Sequence, residues 1–474
     1  MTWKFIISPD STFLQNGNET VKERVLLISG RVVKEPEELL NMTDSKSIAY
    51  YLLKRSGSWS VIYHRPDIAR VFVGRDVFGR LSLVFTRDGK DIVISDIVQS
   101  TLLSGWNEVP YAQVSSIAIE TSSTRMYSYL ETYMEGIMDP WAKLFQQFSF
   151  EQVHFKDVLL KVSRSGELDA KLDIEEEFLK KLVTSTRSML PQGENVAIAF
   201  SGGVDSLLGA ITVHLAFPPH LSLDLINVAF IRGSEHKTIV TDRRRAIAGL
   251  EFLRSKYSSR QWRLIQADVS LEEMEKDRAE HVVRAAAPAL SVLDESLACV
   301  LYYALRGAGT DYDNLEKVES QAQVYFVGSG ADELFAGYAR HRTRFERDGA
   351  DAIPEECEAE LRRLGCRNGG RDARVAVLLS KELRAPFLDD DFVAWANSLP
   401  MQLKWDLSLP RGEGEKRIIR QVLASLGAPH DAPKQAMQFG SGFVKMQNDK
   451  KLKGSDVSTI LMESRLRAIH EPST

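Results

Sequence analysis

The sequence predicts a two-part protein: an N-terminal α+β sandwich, then an α/β unit doubly wound about a parallel sheet. Three observations carry this. At 474 residues the chain is too long for one ordinary core. Residues 1–125 break into short β-branched or alternating runs cut by Gly, Asp and Pro. From about Ile174 the texture changes to apolar strands alternating with helical segments, the pattern of a parallel sheet covered by helices.

In the N-terminal part the expected strands are "RVLLISGRVV", "SWSVIYHR", "ARVFVGRD", "RLSLVFTRD" and "DIVISDI". Residues 126–173 have mixed pattern and charge and read as a connection. Within 174–446 the strands are "VAIAF", "LDLINVAF", "WRLIQADV" and "AQVYFVG", with helices such as "DRRRAIAGLEFLRSKY" between them. The last stretch, 447–474, is a charged tail expected to fray.

Composition narrows the class. Charged residues are 26% and hydrophobic residues 44%, the balance of a globular chain. A net charge of −5 supplies no basic field for nucleic acid, and the arginines of "DRRRAIAGLEFLR" read as a solvated helix face. No run of eighteen apolar residues predicts a membrane span. Three scattered cysteines (Cys299, Cys357, Cys366) suit neither a disulfide framework nor a paired-cysteine metal site, and with an N-terminus unlike a secretory signal they point to a reducing compartment, the cytoplasm or equally the nucleus. Among nine dispersed histidines, His341 reads as surface or phosphate-proximal rather than a metal ligand.

The chemistry concentrates at Ser201-Gly202-Gly203-Val204-Asp205-Ser206, between an apolar strand and an apolar helix. Unpaired N–H groups and the helix dipole make such a turn an anion cradle. Gly202 and Gly203 permit close approach, and Ser201 and Ser206 can donate to phosphate oxygens. Asp205 is misplaced beside a phosphate unless a cation lies between, which implies Mg²⁺. The Gly-Lys-Ser/Thr ending of a Walker loop is missing. The plain alternative is a serine-capped glycine turn.

SGGVDS resembles the pyrophosphate loop of the N-type ATP pyrophosphatases. Three further blocks narrow the likeness to the asparagine synthetase family, nearest its asparagine synthetase domain-containing branch. "GSGADELFAGY" (328–338) is similar to the GxGxDExxxGY signature, which makes Asp332 the second metal carboxylate beside Asp205. "ELRAPFLD" (382–389) resembles the family's ExRxPFLD segment and brings Glu382 and Arg384 as catalytic candidates, with "RNGGRDARV" (Asp372, Arg374) just before it. "LPRGEGEKRIIRQVL" matches a stretch that sets Lys416 on the transferring phosphate. "DAPKQAMQFGSG" is like a C-terminal run whose role the residues do not assign. The resemblance also implies adenine contacts with backbone at Phe200, Val228 and Val327-Gly328, with Gly330 in the same nucleotide-binding set.

Two departures stand out. The second block carries Ser329 where asparagine synthetases have a glutamate, so that side chain offers no general base near neutral pH. The N-terminal part resembles a class II glutamine amidotransferase, truncated and degenerate. It lacks the family's N-terminal cysteine, Thr2 being the one hydroxyl near that place, and Ser29-Gly30-Arg31 replaces the Asn-Gly-Glu segment. The resemblance therefore implies an ATP- and Mg²⁺-dependent ligase. It would adenylate a carboxylate, by likeness aspartate, release pyrophosphate, and take ammonia rather than glutamine. The partners are small molecules, with a homodimer admitted by the sequence. The other reading is a non-catalytic nucleotide-binding descendant with a structural or regulatory role.

Overall fold

The computed structural model describes residues 3–8, 12–16, 19–99, 105–121, 123–130, 135–154, 159–164, 173–193, 195–231, 240–289 and 291–446. The tail from 447 and Thr2 lie outside these residues.

The N-terminal strands are β1 (Trp3–Ile7), β2 (Phe13–Asn16), β3 (Glu19–Val21), β4 (Val25–Ile28), β5 (Arg31–Val33), β6 (Ser60–Arg65) and β7 (Arg70–Arg75). They continue with β8 (Val84–Asp88), β9 (Asp91–Ser95), β10 (Asn107–Glu108), β11 (Gln113–Ala118), β12 (Ser123–Ser128) and β13 (Gln147–Gln152). Two sheets form, in the orders β10-β8-β9-β1-β2-β3 and β13-β12-β11-β7-β6-β4-β5. Every anticipated run in this part became a strand, because alternating β-branched residues fit a half-buried pleat. The expectation of a bare connection over 126–173 is corrected. β12 and β13 pair in parallel at the edge of the second sheet, and Trp141 between them packs on Phe85 of the first.

The third sheet has seven strands: β14 (Val196–Ala199), β15 (Leu223–Phe230), β16 (Trp262–Val269), β17 (Ala308–Asp311), β18 (Lys317–Glu319), β19 (Val324–Phe326) and β20 (Glu382–Arg384). Their order is β18-β17-β16-β15-β14-β19-β20, parallel from β16 to β20 and antiparallel through β17 and β18. Alternate residues serve opposite faces. Val196 and Ile198 join Leu207, Leu250 and Phe178 in one core, while Ala197, Ile226 and Val228 join Ala298, Leu301 and Leu305 in another. Helices thus cover both faces, as predicted. From β14 the chain winds outward to β16 and returns to the other side of β14 as β19 and β20. The order reverses between β14 and β19, and the crevice beyond their carboxyl ends is the expected place for a ligand.

Two sequence expectations fail locally. On the helix Thr241–Lys256 the supposedly solvated face is partly inside: Arg243 is buried, donates from Nε to Asn227 Oδ1 at 2.6 Å and pairs with Asp268 at 2.8 Å. His341 is fully buried, and its Nδ1 accepts from the Tyr338 N–H at 3.1 Å. Burial, with Arg340 adding repulsion, pushes its pKa down to about 4, so it is neutral in this role. No described helix is long and apolar enough to cross a membrane.

Candidate active site at the switch point

The loop after β14 runs directly into the helix Val204–Ala216, whose N-cap Gly203 makes no side-chain cap. The first-turn N–H groups are therefore unclaimed by a capping side chain. Ser201 Oγ accepts from Gly203 N at 3.3 Å and lies 3.3 Å from Ser206 Oγ, so both hydroxyls turn inward on the loop. Gly202, at φ +72°, has a reason the sequence did not reveal: a Cβ there would lie 2.2 Å from the Arg245 carbonyl carbon, against the neighbouring helix. Beside it, a Cβ at Gly203 would meet, among the described residues, only Ser201 Oγ, at 3.3 Å, which leaves that residue's backbone approachable.

Beyond β19 the 328–333 loop turns through Gly330 at φ +100° into the short helix Ala331–Leu334. A Cβ at Gly328 would sit 2.8 Å from Asp205 Cβ, so the two loops touch. That contact sets Asp205 and Asp332 opposite each other. Lys416 lies between them, its Nζ 2.5 Å from Asp205 Oδ2 and 2.7 Å from Asp332 Oδ1. Lys416 is buried and adopts a left-handed φ of +55°, with its N–H on the Phe335 carbonyl at 2.9 Å. An L-residue held there marks a position that its surroundings fix. Gly337 completes the packing, because a Cβ would fall 2.1 Å from Asp332 Oδ1 and 2.2 Å from Lys416 Cε.

A fourth member was missed from sequence. Lys434 of the unassigned "DAPKQAMQFGSG" run places Nζ 2.5 Å from Asp332 Oδ2 and 4.0 Å from Asp205 Oδ2. The run crosses the cleft as a strap. Arg245 donates to the Pro433 carbonyl, Arg411 to the Lys434 carbonyl, and Phe230 N at the end of β15 to the Ser441 carbonyl. Burial raises the Asp332 carboxyl, but the Lys416 and Lys434 ammoniums overcome it and hold the pKa well below the usual range. In turn burial opposes charge on Lys434, and Asp332 with Asp205 restores it, so that its pKa rises. The cluster is thus two carboxylates and two ammoniums from four separate segments. Next to it, a cavity of about 460 Å³ is lined by Tyr338, Arg342, Arg411, Lys434 and Phe439, among others.

The remaining predicted residues flank this centre. Phe200 is buried, with its N–H on the Ile226 carbonyl and its carbonyl accepting from Asn227 Nδ2. Val228 follows in β15 past the last β14 pairing, and Val327 N donates to the Arg384 carbonyl at 2.9 Å. Glu382 and Arg384 stand on one face of β20 rather than in the lysine–acid cluster. Glu382 Oε2 accepts from Arg384, and Oε1 from Arg31 Nη2 at 2.7 Å. Arg374 is also away from the centre, buried against Glu108 at 2.8 Å. Among the described residues no group of three or more His, Cys, Asp or Glu side chains could hold a metal by itself.

Known proteins resemble this chain over most of its length. The asparagine synthase family model matches residues 177–376 and 349–443, which include all four members of the cluster. Asparagine synthetase domain-containing protein 1 of Bos taurus is 31% identical, covering 85% of this chain and 80% of its own length. The Mus musculus protein of that name is 30% identical with the same coverage. In Saccharomyces cerevisiae, asparagine synthetase domain-containing protein YML096W is 24% identical over 96% of this chain and 83% of its own. With the family model covering more than half of its length, the chain belongs to the asparagine synthase family.

Proposed function

We propose that the protein is an ATP-dependent amidoligase that adenylates a carboxylate, with aspartate as acceptor and free ammonia as nitrogen donor. The observation that carries this reading is the Asp205–Lys416–Asp332–Lys434 cluster at the switch point. Stability does not explain it, since buried ion pairs add little net to folding. A site that must receive a polyanion and its counter-cation does.

On this reading the α,β-phosphates of ATP lie on the Ser201–Ser206 loop. The free N–H groups and the two serine hydroxyls donate to phosphate oxygens, and the adenine lies along backbone at Phe200, Val228 and Val327-Gly328. Asp205 and Asp332 are suited to Mg²⁺: Asp205 Oδ1 is buried with no hydrogen-bond partner among the described residues, and Asp332 is held ionised. Bound there, the cation would neutralise phosphate charge. Lys416 and Lys434 donate to the α-phosphate and to the departing pyrophosphate, where charge builds up. The acceptor carboxylate oxygen attacks the α-phosphorus and pyrophosphate leaves; ammonia then attacks the acyl carbon and AMP leaves.

Ammonia is favoured over glutamine because the segment that would hold an oxyanion is otherwise engaged. Ser29 and Gly30 make the β4–β5 turn at φ +52° and +76°, and Arg31 reaches Glu382. The test is to supply ATP, Mg²⁺ and aspartate with either ¹⁵N-ammonium or amide-¹⁵N-glutamine. Labelled asparagine and AMP are expected from ammonium alone. Absence of AMP with every acceptor tried would instead support a nucleotide-binding protein without turnover, the reading that Ser329 favours.

A further inference from the structure

We infer that the acceptor subsite spans both parts of the molecule, and that Arg31 of the N-terminal sheet, with Glu382 and Arg384, recognises the α-amino and α-carboxylate groups of an acidic amino acid. This rests on the adenylation reading above. Arg31 opens β5 directly after a turn that its residues force: Gly30 has φ +76°, and a Cβ there would lie 3.1 Å from Trp3 Nε1. The turn aims the guanidinium at β20, where Nη2 donates to Glu382 Oε1 at 2.7 Å. Arg384, two residues along the same face, donates to the other oxygen. Its carbonyl accepts from Val327 N at 2.9 Å, which fastens the end of β20 to the start of the 328–333 loop. Of the group, Arg384 therefore borders the loop that carries Asp332, while Glu382 pairs with Val324 two residues further back along the strand.

Stability gives no reason for this arrangement. The Arg31 side chain is 78% exposed and that of Glu382 37%, and such pairs contribute only about 0–1 kcal/mol. Among the described residues each guanidinium is engaged through Nη2 alone, so most of each donor fork is open. Two guanidiniums and one carboxylate leave a net charge of +1. That complements an α-amino acid bearing a second carboxylate: guanidiniums for the α-carboxylate, Glu382 for the ammonium, and the side-chain carboxylate left to reach the α-phosphorus. The N-terminal part would then be kept because it completes the acceptor site.

ATP–pyrophosphate exchange on the full chain tests this, with aspartate or β-alanine (which lacks the α-carboxylate) as acceptor. For Arg31→Ala the KM for aspartate should rise about tenfold, the loss of one charge-assisted hydrogen bond, with the KM for ATP unchanged. The preference for aspartate over β-alanine should collapse, and Arg31→Lys should fall between. An unchanged aspartate KM and preference in Arg31→Ala, beside a wild-type protein that exchanges, overturns the assignment. No aspartate-dependent exchange in the wild-type protein overturns the adenylation reading itself, and this subsite with it.

Discussion

The Lys416 ammonium stands 2.5 Å from the Asp205 carboxylate, joining residues 211 positions apart in the chain. It also lies 2.7 Å from Asp332, so one lysine bridges the two loops that flank the reversal of strand order. Neither acid can be moved without unpairing a buried ammonium, and the geometry is set before any ligand arrives.

Lys434 should be as important as Lys416, although it lies on a strap outside any long element. Lys434→Ala should lower the rate of AMP formation about 100-fold, the scale of removing one preorganised donor. Steady-state kinetics at saturating ATP check this. A fall of less than about threefold would place Lys434 in a structural role.

Glu108 links the two halves of the molecule. Its carboxylate takes Arg75 Nη1 at 2.9 Å and Arg374 Nη1 at 2.8 Å, both guanidiniums being fully buried. Glu108→Ala strands two buried charges and should cost about 3–5 kcal/mol. Urea denaturation reads the loss, and a change below about 1 kcal/mol would mean that water reaches the arginines.

Lys404 is fully buried, and among the described residues its Nζ has no hydrogen-bond partner. Burial pushes its pKa down to about 8, so at neutral pH the fold carries a charge it would rather lose. Lys404→Met should raise stability at pH 7 by about 1–3 kcal/mol. Thermal unfolding is the measurement, and a destabilised variant would show that the amine has a partner.

Asp242 supplies a pH signature. It is buried beneath Gly440 of the strap, where a Cβ would come within 2.3 Å of both carboxylate oxygens. Burial raises its pKa to about 7, against the pull of Arg245 and Lys434. A raised acid binds its proton more tightly when folded. Its contribution is complete below the unfolded pKa, near 4, and is lost as pH rises through 7. Asp242→Asn should therefore match the wild-type melting temperature near pH 4 and exceed it by a growing margin up to pH 8. Parallel curves across that range would contradict the raised pKa.

The parts of the fold that were legible share a cause. Strands β4 to β9 announce themselves by alternation, and the loops after β14 and β19 by glycine between a strand and a helix. Such signals are local in the chain. β13, "QFSFEQ", alternates polar and aromatic residues, but the run is short and it becomes a strand where parallel β12 lies beside it. Lys434 follows a proline in a segment without period, and only the strap's anchors on Arg245, Arg411 and Phe230 bring it to Asp332. Burial of Arg243 depends on Asn227 and Asp268, both distant in sequence, so its local texture misled, whereas His341 is buried although its bonded partner, Tyr338, is only three residues away.

The central claim is that the cluster adenylates a carboxylate. Its most direct test is ATP–pyrophosphate exchange with Mg²⁺, with and without aspartate, on the wild-type protein and on Asp205→Ala. The account predicts exchange that requires aspartate and disappears in the variant. ATP binding without exchange, whichever amino acid is supplied, would contradict it.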